Sequence, residues 1–296
     1  MSEQLQQAAS QDIESYDVEI PLRGYRFNLQ DIKSVYRALQ KINDDQGRKI
    51  VGAFVKPENE TEEMFESRKE HILDRAFRLT VSIFGYDGAS AYRDREGIFD
   101  STALPKPIRT IFFTNASAYR AMANGEEPTN NFKLWIHFDG PPLFDPNPLQ
   151  SEPTLNPSKI HIKADNIVFF QAVQGVINAA LKKDRLWYSP FHGRFVYDIG
   201  LWLLWLPYSL YTVTSLVDRM FPADGPRASY RIGAYIYGLG LALLIYRFLM
   251  GYAKWAFPVN ILRENADAAA KHRIIFGALA LGIFGSAVWD AIKLSW

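Results

Sequence analysis

The side chains best suited to acid–base or metal chemistry in this 296-residue chain are its five histidines. No two of them have the spacing of a helical metal motif such as HExxH. His137 and His161 fall in predicted strands, and Asp139 lies two residues after the first of them. These three side chains are the one weak candidate for a catalytic or metal-binding group. The alternative interpretation is that they are ordinary polar residues of a sheet.

Other signatures of catalysis are missing from the sequence. The chain contains no cysteine, which excludes thiol nucleophiles, disulfides and cysteine-based zinc sites. Gly85-x-x-Gly88 lacks the Lys-Ser/Thr of a phosphate-binding loop, and there is no G-x-S-x-G element. The 33 Lys and Arg residues are interspersed among 32 Asp and Glu residues, which disfavours a nucleic-acid partner. We therefore predict no cofactor and no metal site.

The distribution of charge divides the chain into a soluble part and a membrane part. Residues 195–296 hold only 15 of the 65 charged residues, together with five of the seven tryptophans. No basic region followed by an apolar run opens the sequence, so we expect the first part to stay in the cytosol. The predicted regions are a polar N-terminal tail (1–25), a cytosolic α+β domain (26–184), an aromatic and basic interfacial connector (185–198) and an all-α transmembrane domain (199–296).

The soluble part has the pattern of an antiparallel sheet with helices on one face. A first helix is predicted over Leu29–Asn43, with Asn28 as N-cap and Gly47 just past its end. Most successive strands are separated by loops rather than by helices, which favours antiparallel pairing. The other predicted elements are a short strand at 48–55, a helix at 59–74, strands at 77–84, 108–114, 132–138 and 159–163, and an apolar helix at 166–181.

About three transmembrane helices are predicted, at about 199–217, 232–253 and 274–294. The first has 19 residues without a formal charge, and at about 1.5 Å per residue it spans roughly 28 Å, close to one hydrocarbon core. Pro207 lies near its middle and predicts a kink. The alternative is that these runs are buried core helices of a soluble protein. Three such runs in about 100 residues favour the bilayer as a partner.

Lysine and arginine counts near the spans predict the orientation. Nine lie on the side of the soluble domain and four on the other side. We therefore predict an integral, multi-pass protein of the plasma (inner) membrane. Its N-terminal domain and the loop 254–273 lie in the cytosol, and its C-terminus lies outside.

Small residues recur at every fourth position in the second and third spans, which allows helix backbones to approach closely. One interpretation is a hairpin of these two spans within a chain, and the other is packing between chains in a homo-oligomer. The residues are Ala234, Gly238 and Ala242 in the second span, and Ala278, Gly282 and Ser286 in the third.

Charged residues in the spans are the remaining functional candidates. Asp198 and Arg247 lie at the cytosolic ends of the first two spans, where they could form an ion pair that locks the two helices together. The alternatives are independent charges that reach the interface, or charges that line a pore. No internal repeat is present, which disfavours a secondary transporter.

These observations favour a non-enzymatic membrane protein. In this hypothesis the α+β domain binds a ligand or a protein partner and is coupled to the spans, as in a sensor, an effector or a subunit of a membrane complex. The proline-rich stretch 139–158 is either a connector or a surface for that partner. The alternative is a membrane-anchored enzyme with its site in the cytosolic domain.

Overall fold

The computed structural model describes residues 15–141, 152–267 and 269–295, which form two compact units. The first unit holds the described residues up to Asp139 together with Asn156–Leu186 and Asn260–Ala266. The second holds Trp187–Val259, the described residues from Asp267 onward and those between Gly140 and Leu155. The segment 260–266 therefore belongs to the first unit, although it follows two helices of the second.

The first unit is an α+β domain built on a six-stranded antiparallel sheet of order β1-β7-β6-β5-β3-β4. Its strands are β1 (Tyr16–Pro21), β3 (Thr80–Gly85), β4 (Ser90–Arg93), β5 (Ile108–Thr114), β6 (Asn131–His137) and β7 (Lys159–Ala164). Two short strands outside this sheet, β2 (Arg26–Phe27) and β8 (Ile261–Leu262), pair in parallel with each other.

Four helices belong to this domain, and two of them cover the buried face of the sheet. They are α1 (Leu29–Gly52), α2 (Glu62–Ala76), α3 (Ala116–Met122) and α4 (Ile167–Ala180). Alternate strand residues such as Ile111, Phe113 and Ile136 share one apolar core with residues of α1 and α4. The sequence prediction of an α+β domain with an antiparallel sheet is confirmed.

Helix α1 is longer than predicted. Its N-cap is Asn28, as expected, and the Asn28 side chain accepts a hydrogen bond from the Asp31 N–H. The helix continues past Gly47 to Gly52, so the predicted strand at 48–55 was wrong. A Cβ atom at position 47 would lie 2.6 Å from Cγ of Phe77. Gly47 therefore allows the Phe77 ring to pack closely against the backbone of α1, and it does not end the helix.

Strand β1 lies inside the stretch that we predicted to be a polar tail, so that boundary was wrong. Val18 and Ile20 pair with Ile162 and Ile160 of β7. Asp17 and Glu19 alternate with these apolar residues, so the strand has one apolar face and one charged face. That charged face lowered the average hydrophobicity and concealed the alternation.

The second unit contains three long helices, of which two are long and apolar enough to cross a membrane. These two are α5 (Val196–Met220) and α6, whose α-helical part is Arg231–Ala256. The third, α7, extends over Ala270–Ser295. The assignment of α7 as a transmembrane helix stays a prediction. Within the described residues, α5 and α6 are the two helices that are long and apolar enough to cross a membrane.

Helix α5 contains a π-helical stretch, Leu201–Trp205, just before Pro207. In this stretch the Leu206 N–H donates to the carbonyl oxygen of Leu201, five residues back. Pro207 has no N–H, so it cannot donate the backbone hydrogen bond to the carbonyl group four residues back that a regular α-helix requires. The wider turn redistributes the bonds around Pro207, where the sequence predicted only a kink.

Helices α5 and α6 pack as an antiparallel hairpin. The Trp205 indole N–H donates to the Ala242 carbonyl oxygen at 2.8 Å, and the Tyr246 hydroxyl donates to the Tyr197 carbonyl oxygen at 2.8 Å. A Cβ atom at Gly238 would lie 2.8 Å from Cγ1 of Val213. Gly238 and Ala242 of the small-residue stripe in α6 therefore meet α5, and packing of this stripe against the third span or a second chain stays a prediction.

Candidate functional site: the junction sheet

The three residues of the weak catalytic candidate lie apart on the sheet. His161 stands opposite Lys133 on β6 and opposite Glu19 on β1, and Lys133 is four residues from His137 along β6. At about 3.3 Å per residue, four strand residues correspond to roughly 13 Å. The sheet register therefore does not place the two histidines opposite each other.

Each of these side chains has a nearer partner. His137 Nδ1 lies 3.0 Å from the Thr110 hydroxyl, and Asp139 accepts a hydrogen bond from Arg109 Nε at 3.0 Å. His161 Nε2 lies 2.5 Å from an Asp17 carboxylate oxygen. Burial lowers the pKa of His137, which favours its neutral form. Among residues 15–141, 152–267 and 269–295, no cluster of three or more His, Asp or Glu side chains could hold a metal ion.

A different region of the domain brings together parts of the chain that are far apart in sequence. The segment 24–27 forms backbone hydrogen bonds on both of its edges. On one edge, Arg26 N–H donates to the Asp184 carbonyl oxygen, and Leu186 N–H donates to that of Gly24, both at 2.8 Å. On the other edge, Ile261 N–H donates to Tyr25 at 3.2 Å and Arg263 N–H donates to Phe27 at 3.0 Å.

We call this three-stranded arrangement of residues 184–186, 24–27 and 260–263 the junction sheet. Gly24 begins its central strand with φ of +81°, in the left-handed region that favours glycine. An ion pair also links the two outer strands directly, since Arg263 Nη2 lies 2.8 Å from an Asp184 carboxylate oxygen. The junction sheet thus joins residue 184 to residue 263 through one central strand.

Asn260 fixes the central strand through its side chain, which is only 1% exposed. Its Oδ1 accepts hydrogen bonds from the N–H groups of Gly24 and Tyr25, at 3.0 and 3.2 Å. Its Nδ2 donates to the Leu22 carbonyl oxygen at 2.8 Å and to the Ser158 hydroxyl at 2.9 Å. A side-chain amide has two donor hydrogens and two acceptor lone pairs, so this one is fully satisfied.

The residues after Asn260 extend these contacts to a helix and to the main sheet. A Glu264 carboxylate oxygen accepts from the Leu29 N–H at the start of α1, at 2.8 Å, where the helix dipole favours a negative charge. Asn265 bonds both backbone groups of Ile108, at 2.9 and 2.6 Å. The segment 260–265 therefore contacts the first turn of α1 and the start of β5.

The chain leaves the α+β domain at Leu186, forms the hairpin of α5 and α6, and rejoins the domain at Asn260. Both outer strands of the junction sheet are thus the segments that flank this hairpin. We predicted a connector at 185–198 and a cytosolic loop at 254–273. Part of each is instead a strand of the α+β domain.

The predicted charge pair lies beside a contact between the two helices. The rings of Tyr197 and Tyr246 have their centroids 5.0 Å apart. Asp198 and Arg247 are the next residues in the chain, one on each helix. Their location at the same end of the hairpin agrees with the hypothesis, and the ion pair between them stays a prediction.

The sequence contained one weak signal for the junction sheet. Ile261 and Leu262 are adjacent apolar residues between Asn260 and the polar run 263–265, and a buried strand is one explanation for such a pair. Nothing in the sequence paired them with residues near position 25, more than 230 positions away.

No protein-family model, curated protein or solved structure matches this chain.

Proposed function

We propose that this chain is a non-enzymatic integral membrane protein whose cytosolic α+β domain binds a ligand or protein partner and is coupled to its membrane helices through the junction sheet. The observation that carries the proposal is that one central strand, 24–27, bonds to both segments that flank the α5–α6 hairpin. A change in the domain that moves this strand acts on both ends of the hairpin together.

The exposure of the hairpin supports its place in a bilayer. Only 6% of the most apolar stretch of each helix is buried. Leu203 and Leu204 of α5 are 70% and 74% exposed, and Tyr237 of α6 is 75% exposed. A core helix of a soluble protein buries such side chains, whereas lipid solvates them at no cost.

The junction sheet also supports a topology with an even number of crossings between residues 186 and 260. Strands that share backbone hydrogen bonds lie on the same side of a membrane. Two spans satisfy this condition, and they place the turn between α5 and α6 on the opposite side. The lysine and arginine bias supports a cytosolic location for the domain and an outside location for the turn.

The outer face of the sheet supports the partner-binding part of the proposal. Phe112 and Trp135 lie side by side there with ring centroids 5.0 Å apart, and Tyr92 and Phe84 are more exposed on the neighbouring strands. Aromatic side chains are enriched at protein interfaces. Lys159 on the same face is paired with Glu19 at 2.7 Å, which favours a protein over a nucleic acid.

The absence of cysteine makes a direct test possible, because any introduced cysteine is the single thiol of the chain. We expect Asp224→Cys, in the turn between α5 and α6, to react with a membrane-impermeant maleimide in intact cells. The matched variant Glu58→Cys, in an exposed loop of the domain, should react only after lysis. Both proteins should stay in the membrane pellet after carbonate extraction.

Two results would overturn the proposal. Release of the chain by carbonate would show that the hairpin does not span the bilayer. Labelling of both cysteines under the same condition would place the turn and the domain on one side.

A further inference from the structure

The second unit contains an apolar cavity of about 540 Å³. Its walls come from the aromatic segment before α5, the start of α5, the last turn of α6 with the residue that follows it, and the first third of α7. Representative lining residues are Trp187, Phe191, Ala253, Phe257, Phe276 and Gly277. A volume of this size falls within the range of about 300–1,000 Å³ of sites that bind small molecules.

We infer that this cavity binds one acyl chain of an anionic phospholipid from the leaflet that faces the α+β domain. The inference rests on the proposed function, because it takes α5 and α6 to be membrane-spanning. Val196, which begins α5, and Ala253, which lies in the last turn of α6, both line the cavity. The cavity therefore lies at the level where the spans leave the hydrocarbon.

The chemistry of the lining fits a lipid tail. Apart from the hydroxyl of Tyr188 and the indole N–H of Trp187, the side chains around it are hydrocarbon or plain aromatic. Trp187 is 82% exposed, as expected for a tryptophan at the headgroup level, where an amphipathic ring is favoured. A hydrophilic ligand would find few hydrogen-bonding groups on these walls.

The charges that flank the lining select an anionic headgroup. Arg194 precedes Val196 by two residues, Lys254 follows Ala253, and Lys271 lies five residues before Phe276 in α7. Asp198, two residues after Val196, and Asp267 are the acidic residues in these stretches, and Asp267 is paired with Arg273. The basic residues Arg194, Lys254, Lys271 and Arg273 therefore outnumber the acidic ones next to the cavity. Arg194 and Lys271 are exposed, so they can reach a phosphate at the membrane surface.

His192 lies close to this region in the chain and adds no charge at neutral pH. Burial lowers its pKa to about 4, and its Nδ1 lies 2.9 Å from the Thr154 hydroxyl. The positive character next to the cavity therefore comes from the lysine and arginine side chains.

The test measures phospholipid that the full chain retains. The protein is reconstituted in vesicles of equal phosphatidylglycerol and phosphatidylcholine, extracted in detergent, washed and analysed by mass spectrometry. We expect wild type to retain phosphatidylglycerol in preference to phosphatidylcholine. Gly277→Phe, which adds a ring where a Cβ meets no atom within 4 Å, should lose this lipid. Gly240→Phe, also next to open space but away from the cavity, should retain it.

A second pair of substitutions keeps the inference testable if Gly277→Phe is poorly folded. Arg194→Gln with Lys271→Gln leaves the cavity open and should abolish the preference for phosphatidylglycerol. Equal retention of phosphatidylglycerol by wild type, by Gly277→Phe and by the Arg194→Gln, Lys271→Gln variant would overturn the inference. Retention of an apolar molecule without a phosphate in place of the phospholipid would also overturn it. Carbonate extraction of the same samples separates this outcome from failure of the proposed function, since the variants should stay in the membrane pellet.

Discussion

Asn260 holds the segment that follows the apolar hairpin within the α+β domain through a single side chain. Both of its donor hydrogens and both of its acceptor lone pairs are used, and all four main partners belong to segments far away in the sequence. Aspartate has the same shape but lacks the donor group, and leucine has neither donor nor acceptor. The site therefore requires an amide rather than a side chain of a given volume.

We predict that Asn260→Ala opens the junction sheet. The substitution leaves the N–H groups of Gly24 and Tyr25 and the Leu22 carbonyl without this partner, and a buried unpaired group costs about 1–3 kcal/mol. Hydrogen exchange measured by mass spectrometry should rise in peptides covering 22–27 and 184–186. Asn59→Ala, at an exposed position, is the control and should leave exchange in these peptides unchanged. Unchanged exchange in Asn260→Ala itself would contradict the role assigned to this side chain.

At the scale of elements, the hairpin of α5 and α6 is held by contacts that repeat along its length. Tyr246 bonds the Tyr197 carbonyl at one end, and Trp205, eight residues further along α5, bonds the Ala242 carbonyl of α6. Asp218 pairs with Arg231 and with the Tyr235 hydroxyl near the turn. The two helices therefore have one defined register.

Gly238 tests whether this packing depends on close approach of the backbones. We predict that Gly238→Leu separates α5 from α6, because its side chain would overlap Val213, and overpacking costs roughly 1–3 kcal/mol. The thermal unfolding midpoint of the detergent-solubilised protein should fall. Gly240→Leu, two residues along α6 with no atom within 4 Å of its Cβ position, is the matched control and should have little effect. Equal midpoints for the two variants would show that the contact with Val213 contributes nothing.

The stripe in the third helix differs from the stripe in α6. A Cβ atom at Gly282 meets no other atom within 4 Å, and Ala278 is exposed. The side chain of Ser286 lies outside the described side chains. The interpretation of this stripe as a contact between chains, and hence the homo-oligomer, stays a prediction.

At the scale of the whole molecule, the topology of the chain depends on α7. Its 26 residues correspond to about 39 Å at about 1.5 Å per residue, which is long enough to cross a hydrocarbon core. It begins seven residues after Arg263 of the junction sheet, so in the proposed topology it starts on the same side as the α+β domain. If it spans the bilayer, the C-terminus lies on the other side.

We predict that the C-terminus lies outside the cytosol, so that a reporter fused after Trp296 is active if it works only outside the cytosol and inactive if it works only inside. Alkaline phosphatase should be active there, and a fluorescent protein that folds only in the cytosol should be dark. The same pair of reporters fused to a chain truncated after Ala266 is the control, and it should give the reverse pattern. Cytosolic activity at position 296 would remove the third span and leave the α5–α6 hairpin unaffected.

Local chemistry in the sequence was enough to predict many of the elements. The strand at 108–114 and the apolar helix that begins after Asn166 lie within a residue of their predicted bounds, because alternation and capping are local patterns. Gly47 was misread, since the reason for a glycine there is its contact with Phe77 from another part of the chain.

The amino-acid sequence by itself determined that a charged, strand-rich part precedes an apolar, helix-rich part, because composition and periodicity follow directly from residue type. Only the tertiary structure decided which strands pair and where the chain returns to the domain. The sheet register separated His137 from His161, and the fold brought Asn260 to Gly24. Hydrogen bonds between residues more than 200 positions apart depend on the path of the whole chain, and no local pattern of side chains encodes that path.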